Sequence, residues 1–214
     1  MEALHKDNYQ ALGEVLPRTL WLQNLMLRGA RHSVLDMLQK SGAHTVLDVC
    51  SGAGVLAHMI QQRGIQVQAV DGSATMASLA KSRYGIISRV IEAQSMNYHR
   101  QFDAAVIGLA LHEMDEASRN AVWRRMSEAV KNTGLIIAVD YSVPEHSTLF
   151  SSLAGKLIEA DERSFNGHHP EHYRNYQQFI LGGGLVGWLK QRNSHFYQVR
   201  NHLFGKLAVA AVVN

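Results

Sequence analysis

The residues best placed to do chemistry are acids that close short apolar runs beside a glycine-rich loop. Asp48 lies in Thr45-Val46-Leu47-Asp48-Val49, and Gly52-Ala53-Gly54-Val55-Leu56-Ala57, which follows, fits the pattern G-x-G-x-x-A. Glycines there admit positive φ and let a ligand approach the backbone, and the pattern opens the helix of dinucleotide-binding units. The same Gly-Ala-Gly also makes a tight turn with no ligand. Asp71 stands seventeen residues beyond Gly54, close to where an acid meets a ribose. Glu92 closes a third run, with Ala93 and Gln94 behind it. A carboxylate at Asp48 opposes a pyrophosphate and favours a cation.

A second set of groups lies downstream. His112 follows a fourth apolar run, where an imidazole of pKa about 6.5 serves as a base or simply packs and caps the next helix. Asp140 and Tyr141 end a fifth run on the same rim, to orient an acceptor or to begin a loop. His168, His169 and His172 are the only cluster among 12 histidines. With Pro170 opening a helix, His168 falls outside it, and the single Cys belongs to the glycine loop, so no metal is expected. His168, His169, His172, Tyr173 and Arg174 then read as substrate-facing polar groups or as a solvated helix start. Tyr173, Tyr176, Phe179 and Ile180 read as core, and Arg28 and Arg31 are within reach of a cofactor carboxylate.

The elements that must position these groups alternate. Leu27, Ala30, Val34 and Leu38 mark a helix stopped by Gly42. Strands are expected over 45–49, 66–70, 88–91, 102–109 and 134–139, with helices over 55–63, 74–83 and 116–131. On the last helix Val122, Met126 and Ala129 share a face, and Arg119 and Arg125 lie off it. Such alternation predicts a doubly wound α/β sheet of five parallel strands, closed by an antiparallel hairpin over 195–203 and 206–213. Leu149, Leu153 and Leu157 predict an amphipathic helix in an insertion or lid over 142–169, after an N-terminal helical segment over 1–40.

Of the 214 residues, 46% are hydrophobic and 18% charged, which excludes disorder as the dominant state. One cysteine cannot form an internal disulfide, and a cytoplasmic setting is expected. The basic residues, 21 against 18 acidic, are scattered, so no nucleic-acid partner is expected. No secretory signal or transmembrane segment is read, and oligomeric state is left open.

S-adenosylmethionine carries a sulfonium and an ammonium and no phosphate, and so suits Asp48, with Asp71 on its ribose and Glu92 on its adenine amino group. The sequence resembles class I S-adenosylmethionine-dependent methyltransferases, in the small-molecule branch similar to ubiquinone and menaquinone C-methyltransferases. Val46 to Gly54 resembles the first motif, Asp71-Gly72-Ser73 with Met76 the second, Glu92-Ala93-Gln94 the adenine motif, and Phe102 to His112 the fourth strand. Cys50 replaces the usual first glycine, and Gly72 the usual apolar residue beside adenine. The resemblance implies one Rossmann-like, seven-stranded domain over 1–214. Its implied cofactor contacts are Asp48, Cys50, Gly52, Gly54, Asp71, Gly72, Ser73, Met76, Glu92, Ala93, Gln94, Gly108 and Leu109. It also implies methyl transfer to a small-molecule acceptor that the sequence does not name. The alternatives are a non-catalytic binding module or an NAD(P)-dependent oxidoreductase.

Overall fold

The structure is a computed structural model that describes residues 12–146, 148–165 and 170–214. A helix, α1 (Leu12–Lys40), precedes the repeating units β1 (Thr45–Val49), α2 (Val55–Gln61), β2 (Gln66–Asp71), α3 (Ala74–Tyr84) and β3 (Ser88–Val90). Then come β4 (Phe102–Gly108), α4 (Glu116–Ala129), β5 (Val130–Tyr141), α5 (Leu149–Phe165), α6 (Pro170–Leu181), α7 (Gly184–Gln191), β6 (Phe196–His202) and β7 (Leu207–Val213). The sheet order is β3-β2-β1-β4-β5-β7-β6. β1 to β5 pair in parallel, and β7 runs antiparallel to both β5 and β6. β7 alone is therefore reversed.

The central strands are apolar on both faces because each face is covered. Ala30, Val34 and Leu38 of α1 pack on one side with Val46, Val106, Ile137 and Val209. Val122 and Met126 of α4 and Leu185 of α7 pack on the other with Leu47, Ile107 and Ile136. The core therefore fixes the carboxyl ends of β1, β2, β4 and β5 in one row, and the chemistry sits there.

Three departures from the sequence reading concern the elements themselves. β5 begins at Val130 rather than Gly134, because Val130 pairs with Phe102 before a bulge resets the register at Ala104 and Leu135. Arg119 is buried rather than turned outward. Its Nε and Nη2 donate to the carbonyls of Leu111 and Met114, and its guanidinium lies over the Phe179 ring. The apolar stripe of α5 faces away from the protein: Leu149 is 90% exposed, Leu153 59% and Leu157 63%. Ser151, Ile158 and Glu162 form its inner face, because the end of β5 offers a tyrosine hydroxyl to bond.

Candidate active site

Cys50 (φ 55), Gly52 (φ 52) and Gly54 (φ 77) put the loop after β1 in the left-handed region. For Cys50 this conformation costs about 1–2 kcal/mol that a glycine avoids. Gly54 has a second reason to lack a side chain, since a Cβ would stand 2.8 Å from the Ala80 Cβ of α3. At Gly52 a Cβ would meet nothing within 4 Å, so the backbone is open to an approaching ligand. Its N–H donates to Asp71 Oδ2 at 2.7 Å, and Ser73 N–H donates to Asp71 Oδ1 at 2.9 Å. Ser73 caps α3 by accepting from Met76 N–H, which accounts structurally for both residues.

Gly72 faces Glu92. A Cβ there would lie 2.9 Å from Glu92 Oε1, so the missing side chain leaves room for the longer acid. Ala93 and Gln94 follow in a 3-10 turn, and the Gln94 carbonyl accepts from Arg125 Nε. Gly108 ends β4, and Leu109, at φ 52, donates its N–H to Val139.

The loop lies in an acidic field. Burial pushes the Cys50 thiol up, and the charges of Asp71, Glu113, Asp48 and Glu92 push it further. Asp48 is only 2% exposed. Burial first, then repulsion by Asp71, raises it to about 7, opposed by the Ala57 amide and the half-buried Arg31. Asp48 Oδ2 has no hydrogen-bond partner among the described residues. A buried, unpaired acceptor among carboxylates fits the ammonium of S-adenosylmethionine and opposes a pyrophosphate. Arg28 is exposed.

Asp140, His112 and Tyr141 come together at the rim. Asp140 is fully buried and accepts from the amides of Leu111, His112 and Tyr141, and His112 Nδ1 lies 2.7 Å from its Oδ1. Glu162 of α5 closes the other side: its Oε1 accepts from the Tyr141 hydroxyl at 2.9 Å and lies 3.5 Å from His112 Nε2. Burial pulls the His112 pKa down, but Asp140 and then Glu162 overcome it and hold the ring well above its usual value. The ring thus lies between two acids, and its Nε2 has no hydrogen-bond partner among the described residues. Glu113, beside Cys50 in charge, stands 4.0 Å from both His112 Nε2 and His172 Nδ1.

Sequence reasoning missed Glu162 and Glu113. Glu113 carries the weak signal of following His112. Glu162 carries only its place on the polar face of a helix. Tyr173 turns to α5, donating to Glu159 and accepting from Arg163. Tyr176 is buried, and with Ile180 it lines a cleft of about 250 Å³ between α5, α6 and the end of β5, so these two residues border a space and are not simply core. His168 and His169 lie outside the described residues. Among the described residues no three histidine, cysteine or acidic groups form a candidate metal site.

Seven strands in this order with one reversed, with a glycine loop and acids at the strand ends, make a Rossmann-like sheet of the kind found in methyltransferases of known structure. Residues 46–134, less than half of the chain, match the family model described as a methyltransferase domain. Three similar solved structures share the fold. An O-methyltransferase candidate from Nostoc punctiforme PCC 73102 has a TM-score of 0.65 and 13% identity over 99% of this chain, which spans 64% of that protein. The N-methyltransferase NodS from Bradyrhizobium japonicum WM9, in complex with S-adenosyl-L-homocysteine, has a TM-score of 0.59 and 11% identity over 86% of each chain. The PH0226 protein from Pyrococcus horikoshii OT3 has a TM-score of 0.62 and 16% identity over 91% of this chain and 90% of its own. No curated protein matches the sequence. The family match and the fold together support a methyltransferase. Among the described residues no helix is long and apolar enough to cross a membrane.

Proposed function

We propose that the protein transfers a methyl group from S-adenosylmethionine to a small-molecule acceptor in the cleft beneath α5. The observation that carries this reading is the buried, unpartnered oxygen of Asp48 in an acidic loop. A sulfonium and an ammonium satisfy such a field, whereas the pyrophosphate of a nicotinamide cofactor is repelled by it. The neighbouring NodS binds S-adenosyl-L-homocysteine, which supports the same cofactor class here.

Asp71 would hold the ribose hydroxyls and Glu92 the adenine amino group, with Ala93 and Gln94 beside the ring. Cys50, Gly52, Gly54, Gly108 and Leu109 would line the rest of the crevice with backbone. When bound, S-adenosylmethionine supplies a methyl group already activated by its sulfonium. The protein then aligns the acceptor and, for a hydroxyl acceptor, removes a proton. His112 Nε2 is the group for that task, with Asp140 holding the ring by Nδ1. An acceptor hydroxyl that displaces Glu162 takes away one of the two carboxylates that raise the His112 pKa; the ring then gives up its Nε2 proton to solvent and, held at Nδ1 by Asp140, takes the acceptor's hydroxyl proton at Nε2. The Tyr141 hydroxyl, released from Glu162 by the same movement, orients the acceptor, with Tyr176 and Ile180 bordering it; His172 and Tyr173 are not in the lining of this cleft.

Replacing Asp71 with alanine removes acceptors for both ribose hydroxyls, each charge-assisted bond being worth about 1.5–3 kcal/mol. Calorimetry should therefore show S-adenosyl-L-homocysteine binding weakened by about a hundredfold or more in a variant whose circular dichroism is unchanged. Unchanged affinity would remove Asp71 from the cofactor site. A non-catalytic binding module is the second reading, favoured by the buried and covered state of His112, and it predicts affinity without turnover.

A further inference from the structure

We propose that the acceptor is a small planar acid and that Lys206 binds its anionic group. This rests on the reading of the cleft beneath α5 as the acceptor site. The cleft, about 250 Å³, is below the roughly 300–1,000 Å³ of pockets for drug-sized ligands, so it suits a metabolite of one ring. Its walls include the rings of Tyr141 and Tyr176, set edge to face at 5.6 Å, together with Ile158 and Ile180. Aromatic and branched walls of this kind favour a flat, apolar body.

The charge in the cleft selects the rest of the ligand. Lys206 lines it, and its ammonium has no hydrogen-bond or ion-pair partner among the described residues. Lys156 of α5 lines it as well, equally without an acidic partner. Glu159 is the acid in the lining, and it is already engaged by the Tyr173 hydroxyl at 3.0 Å and by Arg163 at 3.2 Å. The cleft therefore keeps a surplus of positive charge.

Gly155 is the second, independent observation. It stands within α5, where glycine costs a helix about 1 kcal/mol relative to alanine. A Cβ there would lie 3.1 Å from Lys206 Cε and 3.3 Å from its Nζ. The glycine thus opens the channel through which the lysine reaches the cleft. The lysine is held in place from the other side too, since its backbone carbonyl accepts from the Ser142 N–H at the end of β5. A carboxylate on the acceptor would pair with this ammonium while its ring lies against the wall that Tyr141 and Tyr176 form together.

Binding of 3-hydroxybenzoate and of its neutral isostere 3-hydroxybenzamide, measured with and without S-adenosyl-L-homocysteine, tests the proposal. The wild-type protein should bind the carboxylate about ten- to a hundredfold more tightly than the amide, as expected for one charge-assisted hydrogen bond. Lys206→Met should bring the two within about twofold while S-adenosyl-L-homocysteine binding stays as in wild type. Gly155→Ala, whose Cβ would press on the end of the Lys206 side chain without removing its charge, should reduce the preference in the same direction but less than Lys206→Met. Equal binding of acid and amide by wild type, binding of neither, or a preference that survives Lys206→Met would overturn it. Failure of S-adenosyl-L-homocysteine to bind would overturn the methyltransferase reading instead, and leaves the charge preference to be read by itself.

Discussion

Asparagine in place of Asp48 should make the ligand-free protein more stable above neutral pH and cost it much of its affinity for S-adenosylmethionine. The side chain is 2% exposed and its carboxyl is raised to about 7, first by burial and then by Asp71. In the unfolded chain an aspartate titrates near 3.9. Between those values the folded protein holds a proton that the unfolded chain has lost. The contribution to stability is therefore full below about pH 3.9 and is lost as the pH rises through about 7. Asparagine removes the titration, so its advantage should be absent at about pH 4 and reach at most about 4 kcal/mol at alkaline pH. Urea denaturation of both proteins at several pH values measures this. Equal stability at pH about 8.5 would mean that Asp48 is ionised without cost and that the burial argument fails. In the wild type the same titration should make S-adenosylmethionine bind more tightly as the pH rises through 7, a dependence that the asparagine variant should lose.

Alanine at position 140 should be the most damaging single change at the rim. Asp140 is fully buried, and its carboxylate receives three backbone amides and the His112 ring. Its removal leaves the amides of Leu111, His112 and Tyr141 without this acceptor and takes the nearer counter-charge from the buried His112 ring. Breaking one side of such a pair costs about 3–5 kcal/mol. The pH dependence gives a second check. His112 is held above its usual value, so its contribution to stability is present below about pH 6.5 and is lost as the pH rises through the folded value. The penalty of Asp140→Ala should therefore be larger at pH about 6 than well above the folded value. A loss below about 1 kcal/mol in denaturant titration at pH 6 would show that the amides find other acceptors and that the dyad is not a structural unit.

The parts of the fold readable in the sequence are those where local pattern and tertiary role coincide. Thr45 to Val49 and Phe102 to Gly108 are short, apolar runs that only a doubly covered sheet accommodates, and each ends where a polar group or a glycine appears. Asp48, Asp71, Glu92 and Asp140 were visible because a carboxylate at the end of such a run has nowhere to go but the crevice. Glu162 and Lys206 were not. Each lies in an element whose local pattern says nothing about its neighbour, and only packing brings Glu162 to Tyr141, or Lys206 across Gly155. The α5 helix misleads outright, since its leucine stripe at spacings of four reads as an inner face and the structure turns it outward. Arg119 behaves similarly: the apolar period of α4 leaves it out, yet the carbonyls of Leu111 and Met114 in the turn carrying His112 draw it in.

The central claim is that the acidic glycine loop holds a cationic, phosphate-free cofactor. Calorimetric titration of the wild-type protein at a pH above 7, where Asp48 is ionised, with S-adenosylmethionine, S-adenosyl-L-homocysteine and NADH tests it most directly. The account predicts saturable binding of the first two and none of the third. Binding of NADH without the other two would contradict it, and would mean that the loop holds a pyrophosphate despite the carboxylates around it.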